Sequence, residues 1–394
     1  MKYLILVPDG AADYPLEELE GRTPLQAAAT PNMDRLAREG RGGLVQTIPA
    51  EQHPGSDVGN LEIFGYDSRV HYSGRAPLEA ASMGVPLGER DVAFRCNLIT
   101  RDGDILVDYS AGHIGTEEAA ELVALIGAEL QTDGISFHPG VGYRHLMVYG
   151  NGPEKLQSFP PHDIMGESIA AHLPRGEGAA EIRRLMAEAE PVLAGAEVNR
   201  RRVRDGLQPA NAIWLWGSGR AMRLPGIESR FGVSGGVISA VDLVRGIGVA
   251  AGLRVIHVPG ITGYLDTNYT GKAEHALAAL ESDDFVYVHV EAPDEAGHNG
   301  DVEGKKGAIE DFDGKVVGTL LAGLEVLKEP ARILMAPDHR TPIALRTHSR
   351  EPVPFVLWGA GVEADGMMAY NETAAEQGAE RLDHGHRMIE MLMA

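Results

Sequence analysis

Unbroken apolar runs alternate along this chain with amphipathic stretches of helical length, and three of the runs stop at or just before an aspartate. Tyr3–Pro8 leads into Asp9, Phe285–Val290 precedes Asp294, and Arg332–Pro337 leads into Asp338. Short apolar runs bounded by turn residues read as strands covered on both faces, the habit of parallel sheets. Thr30-Pro31 before Asn32–Glu39 and Gly40 predicts a helix with its cap, its first-position proline and its glycine stop. Further on, strands are expected at 212–216, 254–258, 284–290, 332–336 and 353–358. Helices are expected at Val237–Ala251, Gly271–Leu280, roughly 303–327, and from about 371 to the end. This βα rhythm predicts an α/β fold, a mainly parallel sheet with helices on both faces.

Between about 75 and 190 the rhythm changes. Strand-like segments (91–100, 104–108, 143–149) mix with helical ones (Thr116–Leu130, Asp163–Leu173), and Gly-Pro joints such as His138-Pro139-Gly140 separate them. The expectation is a smaller α+β domain, residues 75–190, inserted into a core made of 1–74 and 191–394. The acids and histidines of interest fall on both sides of this insert, so it is a candidate lid.

Composition narrows the partners. The net charge is −22, from 35 basic and 57 acidic residues, which disfavours nucleic acid or an anionic membrane as partner. A local arginine cluster could still hold a small anion. The single Cys96 excludes an internal disulfide and fits a reducing, cytoplasmic setting. The apolar start, Tyr3–Val7, is too short for a signal segment, and no run approaches the ~20 residues of a membrane helix. The Met-rich end (Met388, Met391, Met393) fits a core helix or a contact surface equally, so oligomeric state stays open.

The chemistry gathers at the run ends. An open α/β sheet binds its ligands at the carboxyl ends of its strands, so Asp9, Asp294 and Asp338 should share one crevice. Histidines accompany two of them: His298 lies four residues after Asp294, on the same face of a helical turn, and His339 follows Asp338. His348 comes shortly afterwards. Carboxylates mixed with imidazoles suit a divalent ion such as Mn²⁺ or Zn²⁺. Taken singly, each would serve as an ordinary structural hydrogen-bonding group. Apolar residues would cost less at buried strand ends, so the set points to function.

Ser56, in His53-Pro54-Gly55-Ser56-Asp57-Val58-Gly59-Asn60, falls where a helix N-cap belongs. Capping alone would explain it. Beside a metal ion, a serine oxygen at a helix start could instead attack phosphorus.

With these residues in hand, the chain resembles the alkaline phosphatase superfamily. More narrowly it resembles the cofactor-independent phosphoglycerate mutases of the archaeal-type branch. The resemblance rests on Pro54–Asn60, Val290–His298 and Asp266–Ala273, and spans essentially the whole chain. It implies an alkaline-phosphatase-like core and two divalent ions, Mn²⁺ favoured with Zn²⁺, Mg²⁺ or Co²⁺ as substitutes. Asp294, His298 and His348 would hold one ion; Asp9, Ser56, Asp338 and His339 would hold the other. Ser56 would carry the phosphoryl group between two oxygens of a small phosphorylated carboxylate, interconverting 3-phosphoglycerate and 2-phosphoglycerate without bisphosphoglycerate.

For substrate binding the resemblance points to Lys272, Arg75 and Arg220, with Arg95 and Arg144 of the insert as further candidates. Guanidinium groups suit phosphate and carboxylate because they bind both in bidentate fashion. His162-Asp163 is a candidate acid/base or hinge element, although Asp163 fits a plain helix cap. Homoserine kinases proposed in a close branch offer a second reading, and a plain phosphatase a third. No Gly-x-x-x-x-Gly-Lys-Ser/Thr loop is present for a kinase of the Walker type. A metal-binding protein without catalysis ranks lowest, since all seven metal and nucleophile positions carry usable side chains.

Overall fold

The computed structural model describes residues 1–132 and 134–394. In chain order the strands are β1 (Lys2–Pro8), β2 (Arg41–Val45), β3 (Asp91–Asp102), β4 (Ile105–Asp108), β5 (Ile135–His138), β6 (Arg144–Gly150) and β7 (Ala212–Arg220). They continue with β8 (Gly235–Ile238), β9 (Arg254–Val255), β10 (Phe285–Val290), β11 (Ala331–Met335), β12 (Val353–Gly359) and β13 (Glu380–Leu382). They belong to two compact units, Met1–Tyr72 with Arg223–Ala394, and Ser73–Met222.

The first unit holds an eight-stranded sheet in the order β13-β2-β12-β11-β1-β10-β8-β9. It is mainly parallel, as the βα rhythm predicts; only β12 runs against its neighbours β11 and β2. Leu4–Val7 of β1, Phe285–Val288 of β10 and Ile333–Met335 of β11 are all fully buried. Successive residues of a strand point to opposite faces, so complete burial means that both faces are covered. β1 pairs in parallel with β10 (Pro8 opposite Val290) and with β11 (Leu6 opposite Met335). That register brings the carboxyl ends of three adjacent strands level, with Asp9, Asp294 and Asp338 just beyond them.

In the second unit a five-stranded antiparallel sheet runs β4-β3-β6-β5, with β7 along the other side of β3. The helices Thr116–Leu130 and Ala179–Gly195 pack on one another, the first also on β5 and the second on β7. Phe94, Leu98, Leu122, Ile182 and Trp214 meet in a separate core there.

Several sequence expectations shift. The residue 190/191 boundary moves to 222/223, because β7 pairs antiparallel with β3 from Val92 to Ile99 and so belongs to the insert. An apolar run announces a buried strand and says nothing about its partner. Residues 237–238 are the end of β8, and the helix there starts only at Asp242. Asp163–Leu173 is not a helix but lies across two 3₁₀ turns, Pro161–Ile164 and Ile169–Ala171, consistent with the two prolines just before it. The expected terminal helix is divided into Glu372–Glu376, β13 and Met388–Met393. Among the described residues, no helix is long and apolar enough to cross a membrane.

Candidate active site

Ser56 opens the helix Ser56–Ile63, and Gly55 occupies the cap position. The sequence expectation of a capping serine is therefore displaced by one residue: the Ser56 hydroxyl makes no cap bond, and its Oγ lies 3.1 Å from His339 Nε2. The helix sits close because Gly59 lacks a side chain; a Cβ there would come within 2.3 Å of the Asp338 carbonyl oxygen. Asn60, one turn on, donates to Asp338 Oδ2 at 2.7 Å and accepts from the Tyr287 hydroxyl at 2.7 Å. The Tyr287 ring stacks on Phe64 at 3.8 Å between centroids. Serine, helix and strand ends are thus tied together by buried polar and aromatic contacts.

Around them the structure gathers all six expected acids and imidazoles. One atom each of Asp9, Asp338 and His339 lies within 4.8 Å of the others, and Asp294, His339 and His348 form a second such group. His298 joins the second group, with Nε2 3.3 Å from Asp294 Oδ2 and 2.9 Å from His348 Nε2. The expected division gave His339 to one ion only, whereas its ring stands between both groups. Thr341 bridges them as well, donating its hydroxyl to Asp294 Oδ1 and meeting His339 Nδ1 at 3.2 Å. Gly10, at φ +62°, makes room for this crowding: a Cβ would approach Thr341 Oγ1 to 2.5 Å and Asp294 Oδ1 to 2.7 Å.

The electrostatics of the centre favour a cation. Burial, then the charges of Asp338 and Asp294, push the Asp9 carboxyl far above its usual range. Asp338 is raised by burial as well. Burial works against charge on His298, yet its contact with Asp294 lifts it to about 9. Asp294 also resists burial and stays well below the ordinary carboxylate range, held by hydrogen bonds from His298 and His348. His339 is depressed, by burial first and by the facing His348 next. Three carboxylates so close together call for positive charge, whether protons or metal.

The donor set fits a divalent ion. Asp9 Oδ1 is buried with no hydrogen-bond partner, while the other oxygen, Oδ2, is held by His289 Nε2 at 2.8 Å. His298 Nδ1 faces the Arg346 carbonyl at 3.0 Å, which can only accept, so that nitrogen carries hydrogen and Nε2 turns inward. A third grouping, Glu62, Asp67 and His386, contrasts with it. There both Glu62 oxygens are occupied by Ser68 and His386, and Asp67 is paired with Arg69.

Of the substrate-binding candidates, Lys272 lies in the first unit. It is fully buried, donates from Nζ to the His289 carbonyl at 2.7 Å, and is pushed down to about 8 by that burial. The others lie in the second unit. Arg95 is buried, stands 3.0 Å from Glu79 and stacks over Trp216 at 4.3 Å. Arg75 is its neighbour around Gly217, and Arg144 is close enough to act on its charge. Arg220 pairs with Glu154 at 3.3 Å. His162 stands 3.7 Å from Asp163, in one of the 3₁₀ turns.

Sequence reasoning missed His289, Asn60, Tyr287 and Thr341. A histidine inside the otherwise apolar run Phe285–Val290 was a usable signal, since a buried polar group needs a partner. Thr341 carried none.

Fold and site together define an α/β enzyme with an acid and imidazole centre at the strand ends. A family model described as 2,3-bisphosphoglycerate-independent phosphoglycerate mutase matches residues 37–199. A probable 2,3-bisphosphoglycerate-independent phosphoglycerate mutase from Geobacter sulfurreducens is 54% identical over 398 residues, covering 100% of both chains. Its counterpart from Methanothrix thermoacetophila is 53% identical, again over 100% of both. Among solved structures, a Pyrococcus horikoshii protein aligns with a TM-score of 0.85 at 31% identity, covering 100% of this chain and 96% of that one. A cofactor-independent phosphoglycerate mutase from Thermoplasma acidophilum aligns with a TM-score of 0.67 at 28% identity, covering 100% and 99%. The present chain belongs to the 2,3-bisphosphoglycerate-independent phosphoglycerate mutase family.

Proposed function

We propose that this protein interconverts 3-phosphoglycerate and 2-phosphoglycerate through a phosphoserine formed on Ser56, with two divalent ions and no bisphosphoglycerate. The observation that carries the reading is the place of Ser56: half-buried and 3.1 Å from Nε2 of His339, the residue common to both acid and imidazole groups. Asp294, His298 and His348 would hold one ion; Asp9, Ser56, Asp338 and His339, whose Nε2 faces the first three of these, would hold the other. Bound there, divalent ions would favour the serine alkoxide and neutralise charge on the transferring phosphoryl group. Mn²⁺ is the favoured metal.

The group transfer balances without an outside donor. Ser56 Oγ loses its proton and bonds to phosphorus, the phosphorus–oxygen bond at C3 breaks, and the C3 oxygen takes up a proton. After the glycerate turns, its C2 hydroxyl loses a proton and attacks the phosphoserine, and Ser56 Oγ departs and is reprotonated. Arg75, Arg95, Arg144, Arg220 and Lys272 are proposed to bind the anionic groups of this small phosphorylated carboxylate, with the second unit acting as the lid. A cytoplasmic setting is part of the same reading.

Phosphorus NMR of Mn²⁺-loaded protein with 3-phosphoglycerate, and no bisphosphoglycerate, tests it. Growth of the 2-phosphoglycerate resonance is expected. Release of inorganic phosphate alone would make the protein a phosphatase. An unchanged spectrum from metal-loaded protein would turn the search to a homoserine-type acceptor.

A further inference from the structure

Ser239, His289 and Asp9 lie at or just past the carboxyl ends of three neighbouring strands, in the order β8, β10, β1. Ile238 pairs with Val288 and Val7 with His289, so the three side chains follow one another across the sheet. The Val241 amide donates to Ser239 Oγ at 3.0 Å. Ser239 Oγ lies 3.2 Å from His289 Nδ1, and His289 Nε2 lies 2.8 Å from Asp9 Oδ2. All three residues are buried.

We infer that Ser239 and His289 form a hydrogen-bond relay that positions Asp9, fixing Oδ2 as the anchored oxygen and Oδ1 as the ligand oxygen of the centre. The directions follow from the donors present. When Asp9 is ionised to hold an ion, its Oδ2 can only accept, so the ring hydrogen of His289 sits on Nε2 and is donated to it. Nδ1 is then left to accept from the Ser239 hydroxyl, whose oxygen takes the Val241 amide. Oδ1 is left buried, without a hydrogen-bond partner, 3.5 Å from His339 Nε2. Backbone contacts hold the frame: Lys272 Nζ donates to the His289 carbonyl at 2.7 Å, and the Asp9 amide donates to Val290 at 2.9 Å. A carboxylate held by one oxygen loses less freedom when the other binds an ion, the general advantage of outer-shell partners.

The inference rests on Asp9 being a metal ligand, and the experiment separates the two ideas. Metal-stripped full-length protein is titrated calorimetrically with Mn²⁺, and bound ion is counted by electron paramagnetic resonance. Wild type is expected to bind two ions. His289→Leu should bind one ion as wild type does and weaken the other by about 10- to 100-fold. His289→Gln, whose amide nitrogen can replace Nε2, should recover most of that loss, and Ser239→Ala should show a smaller loss at the same ion. A merely structural role would not weaken one ion selectively while the metal-free thermal melt stays unchanged. Wild-type affinity for both ions in folded His289→Leu overturns the relay and leaves Asp9 as a ligand. Should that variant not fold, wild-type affinity in Ser239→Ala overturns the relay. If wild type binds no ion stoichiometrically, the metal reading fails and the relay fails with it.

Discussion

Lys305 Nζ and Asp13 Oδ2 meet at 2.7 Å with neither side chain exposed to solvent. Lys305 also donates to the Thr341 carbonyl at 2.8 Å, and Asp13 accepts from the Ile343 amide. This pair therefore anchors the segment that carries Thr341 to Asp294, behind the acid and imidazole centre. Burial lowers the Lys305 ammonium from its usual range and the Asp13 charge opposes that. Removing one partner leaves the other charged and buried. Lys305→Met should cost about 3–5 kcal/mol, read by chemical denaturation of the metal-free protein. A loss under about 1 kcal/mol would mean that Asp13 finds another partner.

Ser56 makes no helix-cap bond and is only half-buried, so its hydroxyl contributes little to folding. Ser56→Ala should melt within a few degrees of wild type, about 1 kcal/mol at most, and should show no mutase turnover. Retained turnover would remove the phosphoserine from the mechanism.

Gly10 has both a left-handed backbone and no space for a methyl group. Gly10→Ala should lose about 1–3 kcal/mol from backbone strain, before any cost of pushing Thr341 away from Asp294. The measurable signature is weaker Mn²⁺ binding together with a lower melting temperature. Unchanged binding would show that the centre tolerates a shift of Thr341.

His145 in β6 gives a pH dependence unrelated to the centre. It is buried, its Nδ1 accepts from the Gly140 amide at 3.0 Å, and burial pushes it down to about 4. The unfolded chain binds a proton at this ring near pH 6.5 and the folded one only near 4. Between those values the unfolded state holds more protons, so stability falls as the pH is lowered from 6.5 towards 4. The full loss from this ring is about 3 kcal/mol. Proton NMR should find its ring resonances unmoved down to about pH 5, and His145→Asn should flatten the stability profile over that window. A ring titrating near 6.5 would contradict the burial.

Much of the centre was legible in the chain. Runs ending in Asp9 and Asp338, and Asp294 four residues before His298, follow from strand ends and helix periodicity, which are local patterns. A parallel sheet gathers the carboxyl ends of its strands on one edge, so the convergence of these acids is implied by the chain alone. Ser56 was legible as the start of a helix and misplaced by one residue, since Gly55 in extended backbone can take the cap equally well.

What the sequence by itself determined is therefore most of the strands and helices of the first unit, the α/β class and the six acids and imidazoles that converge, because periodicity and turn chemistry act over a few residues. Only the tertiary structure decided that β7 joins β3, that His339 stands between both groups, and that Asp9 is gripped through one oxygen by His289. Those are pairings between residues up to several hundred positions apart. They depend on strand register and on which buried donors find which acceptors, and no local pattern encodes either.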